Sequence, residues 1–244
     1  MKVLGIIPAR MASTRFPGKP LVDIGGKSMV QRVYERAILV EAFSKLIVAT
    51  DHEEIYAEVQ SFGGEVVMTS AHHLNGTERC AEVVESLKES YDVVVNVQGD
   101  EPFFQVESIG ELLACFKEDA VEIASLAKGI TNLEDVANPS VVKVVFDEDK
   151  KALYFSRVAI PFHQEPKNEA YFKHIGIYAF KTETLKKIVK LKATRLEQIE
   201  KLEQLRWLEN GYKITLGFTE HDSNSVDTPE DLIALKIQFN IKDI

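Results

Sequence analysis

Two hydrophobic periods alternate along the N-terminal half of the chain, and this limits the fold more than any other feature. Short runs at Val3–Ile7, Lys45–Thr50, Glu65–Thr69 and Val93–Val97 are β-rich and continuously apolar. A strand with one wet face alternates polar and apolar residues, so a continuous run predicts a strand covered on both faces, as in a parallel sheet. Between the runs, Val30, Val33, Tyr34, Ala37 and Ile38 recur at helical spacing. Ile55, Val59 and Phe62 do the same, followed by Cys80, Val83, Val84 and Leu87. Asn75-Gly76-Thr77-Glu78 supplies a cap residue and a glutamate at the third helical position. Strand and helix in alternation predict right-handed βαβ units and a doubly wound α/β sheet.

The second half reads differently. Val141–Phe146 and Ala152–Phe155 flank the turn-like Asp147-Glu148-Asp149-Lys150 and predict a β-hairpin. Phe172–Phe180 and Lys213–Phe218 predict further strands. Leu196 to Asn210 reads as one amphipathic helix, with Ile199, Leu202, Leu205 and Leu208 inward and Gly211 ending it. Thr228-Pro229-Glu230-Asp231 is a helix start, with Thr as cap, Pro first and carboxylates in the first turn. The sheet is therefore expected to be mixed and mostly parallel, with an inserted antiparallel part. No repeat, linker or clean boundary divides the 244 residues, which predicts a single domain.

Composition narrows the partners. Lys and Arg number 29 against 38 Asp and Glu, a net charge of −9, which argues against a non-specific nucleic-acid binder. A small anionic ligand remains compatible, because a few placed cations make a local positive pocket. Cys80 and Cys115 are too few for a disulfide framework or a zinc site and read as small core residues. No apolar run reaches the ~20 residues that span a bilayer, and the N-terminus is too short for a signal sequence, so a cytoplasmic protein is expected.

Chemistry concentrates where strands end, since ligands of parallel sheets sit at the carboxyl ends of strands. After Ile7-Pro8 comes a loop bearing Arg10, Arg15 and Lys19 with Ser13, Thr14, Pro17, Gly18 and Pro20. Arginine offers planar bidentate donors to phosphate and lysine a point charge, so this loop is a candidate phosphate cradle. Gly25-Gly26-Lys27-Ser28 only imitates a P-loop, because Leu21 stands where the first glycine is required. A G-x-G-x-x-G dinucleotide pattern is missing after the first strand as well. After Val93–Val97, Gln98-Gly99-Asp100 puts a carboxylate at a strand end, which suits Mg²⁺, a cation that takes one or two carboxylates and completes its shell with phosphate and water. Asp227 precedes the last helix and is either a second metal carboxylate or support for the cap. His72 and His73 read as surface residues. His174 and Tyr178 fall on one strand face, with a core histidine as the alternative, and Glu203 and Gln204 read as solvated.

Taken together, these motifs resemble the bacterial CMP-Kdo synthetases, the 3-deoxy-manno-octulosonate cytidylyltransferases. The resemblance rests on Ile7-Pro8-Ala9-Arg10, Ala12-Ser13-Thr14-Arg15, Pro17-Gly18-Lys19-Pro20-Leu21, Ala49-Thr50-Asp51, Gly76-Thr77-Glu78-Arg79 and Asn96-Val97-Gln98-Gly99-Asp100-Glu101-Pro102. Leu153-Tyr154-Phe155-Ser156-Arg157, Gly176-Ile177-Tyr178, Leu202-Glu203-Gln204-Leu205-Arg206 and Val226-Asp227-Thr228-Pro229 continue it in order along the chain. It implies a Rossmann-like, GT-A-like three-layer nucleotidyltransferase fold. The implied activity is transfer of CMP from CTP to Kdo, with diphosphate released, in lipopolysaccharide synthesis. The implied cofactor is Mg²⁺ and the implied assembly a homodimer, without nucleic acid or membrane. By the same resemblance, Arg10, Arg15 and Lys19 hold the triphosphate, and Asp100 and Asp227 hold the metal. Ser13, Arg79 and Gln98 line the nucleotide and sugar pocket, and Arg157, His174, Tyr178, Glu203 and Gln204 surround Kdo. Two departures stand out. Asn75 replaces a common Ser, and the stretch after Ile160-Pro161 is shortened and lacks the usual Arg, which leaves Arg157 and Lys167 as candidates for the sugar carboxylate. A cytidylyltransferase for another sugar acid such as a sialic acid, a metal-dependent glycosyltransferase and a non-catalytic nucleotide sensor are the competing readings.

Overall fold

The computed structural model describes residues 1–12, 16–164 and 171–241. In chain order its first elements are β1 (Val3–Ala9), α1 (Met29–Ala37), β2 (Phe43–Thr50), α2 (Glu53–Ser61), β3 (Val66–Met68), α3 (Gly76–Ser86) and β4 (Val93–Asn96). Then come α4 (Val106–Ala114), β5 (Ile123–Gly129), α5 (Leu133–Ala137), β6 (Lys143–Phe146), β7 (Ala152–Ser156) and β8 (Phe172–Lys181). The last are α6 (Thr182–Ile188), α7 (Arg195–Glu200), α8 (Gln204–Glu209), β9 (Ile214–Phe218) and α9 (Pro229–Gln238). The chain forms two compact units, one of Met1–Val106 with Ser223–Ile244 and one of Glu107–Asp222.

The first unit holds the parallel sheet expected from its continuous apolar runs. β1 pairs in parallel with β2 and with β4, and β2 with β3, in the order β3-β2-β1-β4. Leu4, Ile6 and Ile7 of β1 and Val94 and Val95 of β4 are fully buried, as strands covered on both faces must be. The helical patterns are equally faithful: Val30, Val33 and Ala37 of α1, Ile55 and Val59 of α2, and Cys80 and Val83 of α3 all face inward. Ile38 does not, because it caps the end of α1 and lies 58% exposed. Asn75 caps α3 as its spacing predicts, its side chain accepting the Glu78 N–H at 2.8 Å. The final helix returns to this unit, where Val226, Leu232 and Leu235 pack with Ile24 and Met29.

The second unit is mixed. β5 runs antiparallel to β8 and parallel to β9, while β6 is antiparallel to β7 and to β8. β6 and β7 are the expected hairpin. β5 escaped the sequence reading, although Ile123, Ala124, Leu126 and Ala127 are buried, because its Ser125 and Lys128 interrupt the apolar run. The helix read from Leu196 to Asn210 is two helices. Lys201 takes a left-handed conformation at φ 55°, and the chain restarts as α8 at Gln204. The break rotates the faces, so Ile199 is 63% exposed while Leu202, Leu205 and Trp207 are buried. Among the described residues, no helix is long and apolar enough to cross a membrane.

One close approach fixes the strand ends of the first unit. A Cβ on Gly99 would lie 2.6 Å from the Pro8 carbonyl oxygen, so the turn after β4 can press against the end of β1 only because residue 99 is glycine. Gly99→Ala is expected to cost ~1–3 kcal/mol, the usual penalty of forced overpacking, measured as a lower urea midpoint. An unchanged midpoint would mean that the two strand ends separate freely.

Candidate active site

β1 delivers the chain to a loop that folds back on itself. Gly18, at φ 72°, returns its N–H to the Met11 carbonyl at 3.3 Å, and a tight turn over Lys19–Leu21 follows. From the other side, the turn after β4 carries Asp100, whose carbonyl accepts the Val226 N–H at 2.9 Å. That bond brings the start of α9 alongside. Thr228 and Asp231 form the capping box of α9, and the Asp227 N–H also donates to the Asp231 carboxylate at 3.0 Å. Capping is thus the work of Thr228 and Asp231, and the Asp227 carboxylate points elsewhere. Lys19 Nζ lies 2.8 Å from Asp100 Oδ2 and 3.2 Å from Asp227 Oδ1. The three side chains are only 14%, 27% and 33% exposed, so the ammonium separates two carboxylates that would otherwise repel at short range. Next to them Glu101 is buried, and the Ser223 hydroxyl donates to it at 2.5 Å. Burial pushes the Glu101 carboxyl up to about 7, with the Asp100 charge adding to the rise.

The other nucleotide-side candidates divide. Arg10 is exposed and donates to the Leu74 carbonyl at 3.2 Å, which ties the first loop to the segment before α3. His73 in that segment is not a plain surface residue, since it pairs with Glu82. Gln98 is partly buried in the same turn as Asp100. Arg79 faces inward from α3, 1% exposed, and gives one nitrogen to Asp51 at 2.7 Å and another to Thr69 and to the Ser70 carbonyl. It braces the ends of β2 and β3, a role that its position in a helix start did not reveal. Ser13 and Arg15 lie outside the described residues, as does Lys167.

In the second unit, β8 brings His174 and Tyr178 together with ring centroids 5.3 Å apart. An irregular register opposite Ser125 lets the two rings meet. Ser125 Oγ lies 2.8 Å from His174 Nε2 and also reaches the carbonyls of Ile175 and Ile177. A hydroxyl has one proton, and the carbonyls can only accept it, so His174 Nε2 carries the hydrogen and Nδ1 is left as an acceptor. Burial pushes His174 down to about 3, so the ring is neutral. The Tyr178 hydroxyl is buried, and burial followed by the Glu203 charge raises its pKa well above the ordinary value, against a lowering hydrogen bond with Ser125. Gln204, read as solvated, is 5% exposed because α8 packs on this strand through Trp207, which meets Tyr178 edge-on at 5.0 Å.

Arg157 is not among these groups. Its Nε donates to the Glu200 carbonyl at 2.8 Å and its Nη1 to the Pro139 carbonyl at 3.0 Å. The guanidinium expected on a sugar carboxylate is engaged with backbone instead. Ser125, Asp51, Glu200 and Lys143 were missed by sequence reasoning. The one visible signal was Lys143 inside the apolar run Val141–Phe146, and it proves to be fully buried.

The neutral His174 gives stability a defined pH dependence. The unfolded chain takes up a proton below the ordinary value of 6.5 that the folded chain refuses until about 3. Stability therefore falls as pH drops through that window. Urea titrations from pH 7 to pH 4 are expected to show a slope that His174→Gln reduces by about one proton. An unchanged slope would mean a solvated ring.

Comparison with known proteins agrees with this geometry. Residues 4–214 match the cytidylyltransferase family. A 3-deoxy-manno-octulosonate cytidylyltransferase of Phocaeicola vulgatus is 50% identical over 246 residues, covering 95% of each chain. One from Fusobacterium nucleatum is 51% identical over 233 residues, covering 95% of this chain and 94% of its own. A CMP:2-keto-3-deoxy-manno-octonic acid synthetase solved with CTP superposes with a TM-score of 0.93 at 38% identity, covering 98% of this chain and 99% of that one. With the family matched over residues 4–214 and relatives about half identical over nearly the whole length, this chain belongs to the cytidylyltransferase family, among the 3-deoxy-manno-octulosonate cytidylyltransferases.

Proposed function

We propose that this chain transfers CMP from CTP to Kdo and releases diphosphate, activating the sugar for lipopolysaccharide synthesis. The observation that carries the reading is the convergence of Lys19, Asp100 and Asp227 at strand ends in a chain about half identical to named Kdo cytidylyltransferases.

The donor set fits a hard divalent cation. Two carboxylates converge on a single cationic position, occupied by the Lys19 ammonium, and Mg²⁺ typically takes one or two carboxylates and completes its shell with phosphate and water. Asp100 and Asp227 would hold it, and when bound it neutralises charge on the triphosphate. Lys19 then takes a phosphate oxygen as its partner, and Arg10, with Arg15, adds planar donors to the same anion. No side chain here serves as a covalent nucleophile. The reaction asks the protein to position the sugar hydroxyl in line with the α-phosphorus and to stabilise the departing diphosphate. On the sugar side, the His174 Nδ1 acceptor, the Tyr178 hydroxyl and Gln204 offer neutral partners for sugar hydroxyls. A site built this way rejects substrates that leave its buried groups unpaired.

A cytoplasmic homodimer belongs to the same reading. Leu153 on β7, with Val158 and Phe162 just beyond it in the chain, is 60% exposed and those two are 67% and 91% exposed, apolar side chains that a second copy would cover.

Incubation with CTP, Mg²⁺ and a panel of sugar acids, followed by diphosphate release, tests the proposal. Kdo is expected to be the preferred acceptor, and turnover confined to a sialic acid would sink it. Asp100→Asn and Asp227→Asn are each expected to lower kcat by ~10²-fold or more with the fold intact, since a metal ligand supplies several kcal/mol of transition-state stabilisation. Near-normal turnover of both variants at limiting Mg²⁺ would exclude the carboxylate pair.

A further inference from the structure

The break between α7 and α8 is held by a hydrogen-bonded hub of described residues. Glu200, the last residue of α7, receives the Ser156 hydroxyl at 2.6 Å on Oε1 and the Arg157 N–H at 3.0 Å on Oε2. Arg157 answers by donating to the Glu200 carbonyl at 2.8 Å and, more loosely, to the Lys201 carbonyl at 3.5 Å. The carbonyls at the end of a helix have no partner within it, and a guanidinium there satisfies them and complements the helix dipole. The Arg157 carbonyl is fixed in turn by the buried Lys143 ammonium at 2.6 Å, which also holds the Asn138 and Val141 carbonyls. The residue so clamped, Lys201, stands at φ 55°, a conformation that costs free energy without a glycine. Two residues later come Glu203 and Gln204.

We infer that Glu200 and Arg157 are positioning residues for the sugar side of the site: they hold the left-handed turn at Lys201 and so set where Glu203 and Gln204 sit beside Tyr178. The inference rests on the reading that Glu203 and Gln204 serve the sugar acid. It removes Arg157 from direct contact with the substrate and gives Glu200 a part that its place on an exposed helix does not suggest.

The chain has a single tryptophan, Trp207, which lies in α8 and is 1% exposed against Tyr178 and Phe180. Its emission and acrylamide quenching therefore report the seating of α8 independently of activity. The experiment compares Glu200→Gln, Arg157→Ala and Arg157→Lys with the wild type in both readouts. Glu200→Gln is nearly isosteric, and Arg157→Lys keeps a donor if the alanine variant fails to fold. The expected result is a roughly tenfold higher KM for Kdo in Glu200→Gln and Arg157→Ala, an unchanged KM for CTP, and more quenchable Trp207. Arg157→Lys should recover part of both effects, and the double variant should be little worse than the more impaired single one, as for residues acting through one device. The inference is overturned if Glu200→Gln behaves as wild type in both readouts, or if Arg157→Ala raises the KM for Kdo with Trp207 quenching unchanged, the signature of direct contact. If the wild type fails to use Kdo, the substrate reading fails, and Trp207 quenching still decides whether the hub seats α8.

Discussion

One ammonium pairs with two carboxylates that come from distant parts of the chain. Lys19 comes from the loop after β1, Asp100 from the turn after β4 and Asp227 from the approach to α9. Without a cation between them, two partly buried carboxylates drawn to one point would repel each other. Around it, the turn that carries Asp100 has a glycine pressed against a carbonyl, and the cap of α9 leaves the adjacent aspartate available. In the resting protein the lysine occupies the single cationic position that the two carboxylates define.

Much of this was legible in the sequence. Continuous apolar runs gave the parallel strands, and two capping signatures placed the starts of α3 and α9 within a residue. The position of Asp100 at a strand end followed from the pattern alone. Asp227 was ambiguous, because a carboxylate beside a helix start has two uses, and only the capping box of Thr228 and Asp231 separates them.

What escaped the reading was long-range polar pairing, which leaves no periodic trace. Arg79 reads as part of a nucleotide motif, yet it braces two strands through Asp51 and Thr69. Arg157 sits within a motif that invites a ligand role, but its partners are carbonyls brought close by the folding of another helix. The break at Lys201 is invisible to amphipathic spacing, since Leu202, Leu205 and Leu208 keep helical intervals across it. Its cause is tertiary: Trp207 must reach Tyr178 and Phe180, and a continuous helix carrying Ile199 inward would present a different face.

The placement of Asp227 has a temporal consequence. All nine described strands end by Phe218, so synthesis reaches the second carboxylate only after the last of them. A nascent chain therefore holds Lys19 and Asp100 before it holds Asp227. The second carboxylate comes with the segment whose Val226, Leu232 and Leu235 pack onto Ile24 and Met29. One stretch of chain thus supplies both part of the core of the first unit and the second partner of Lys19.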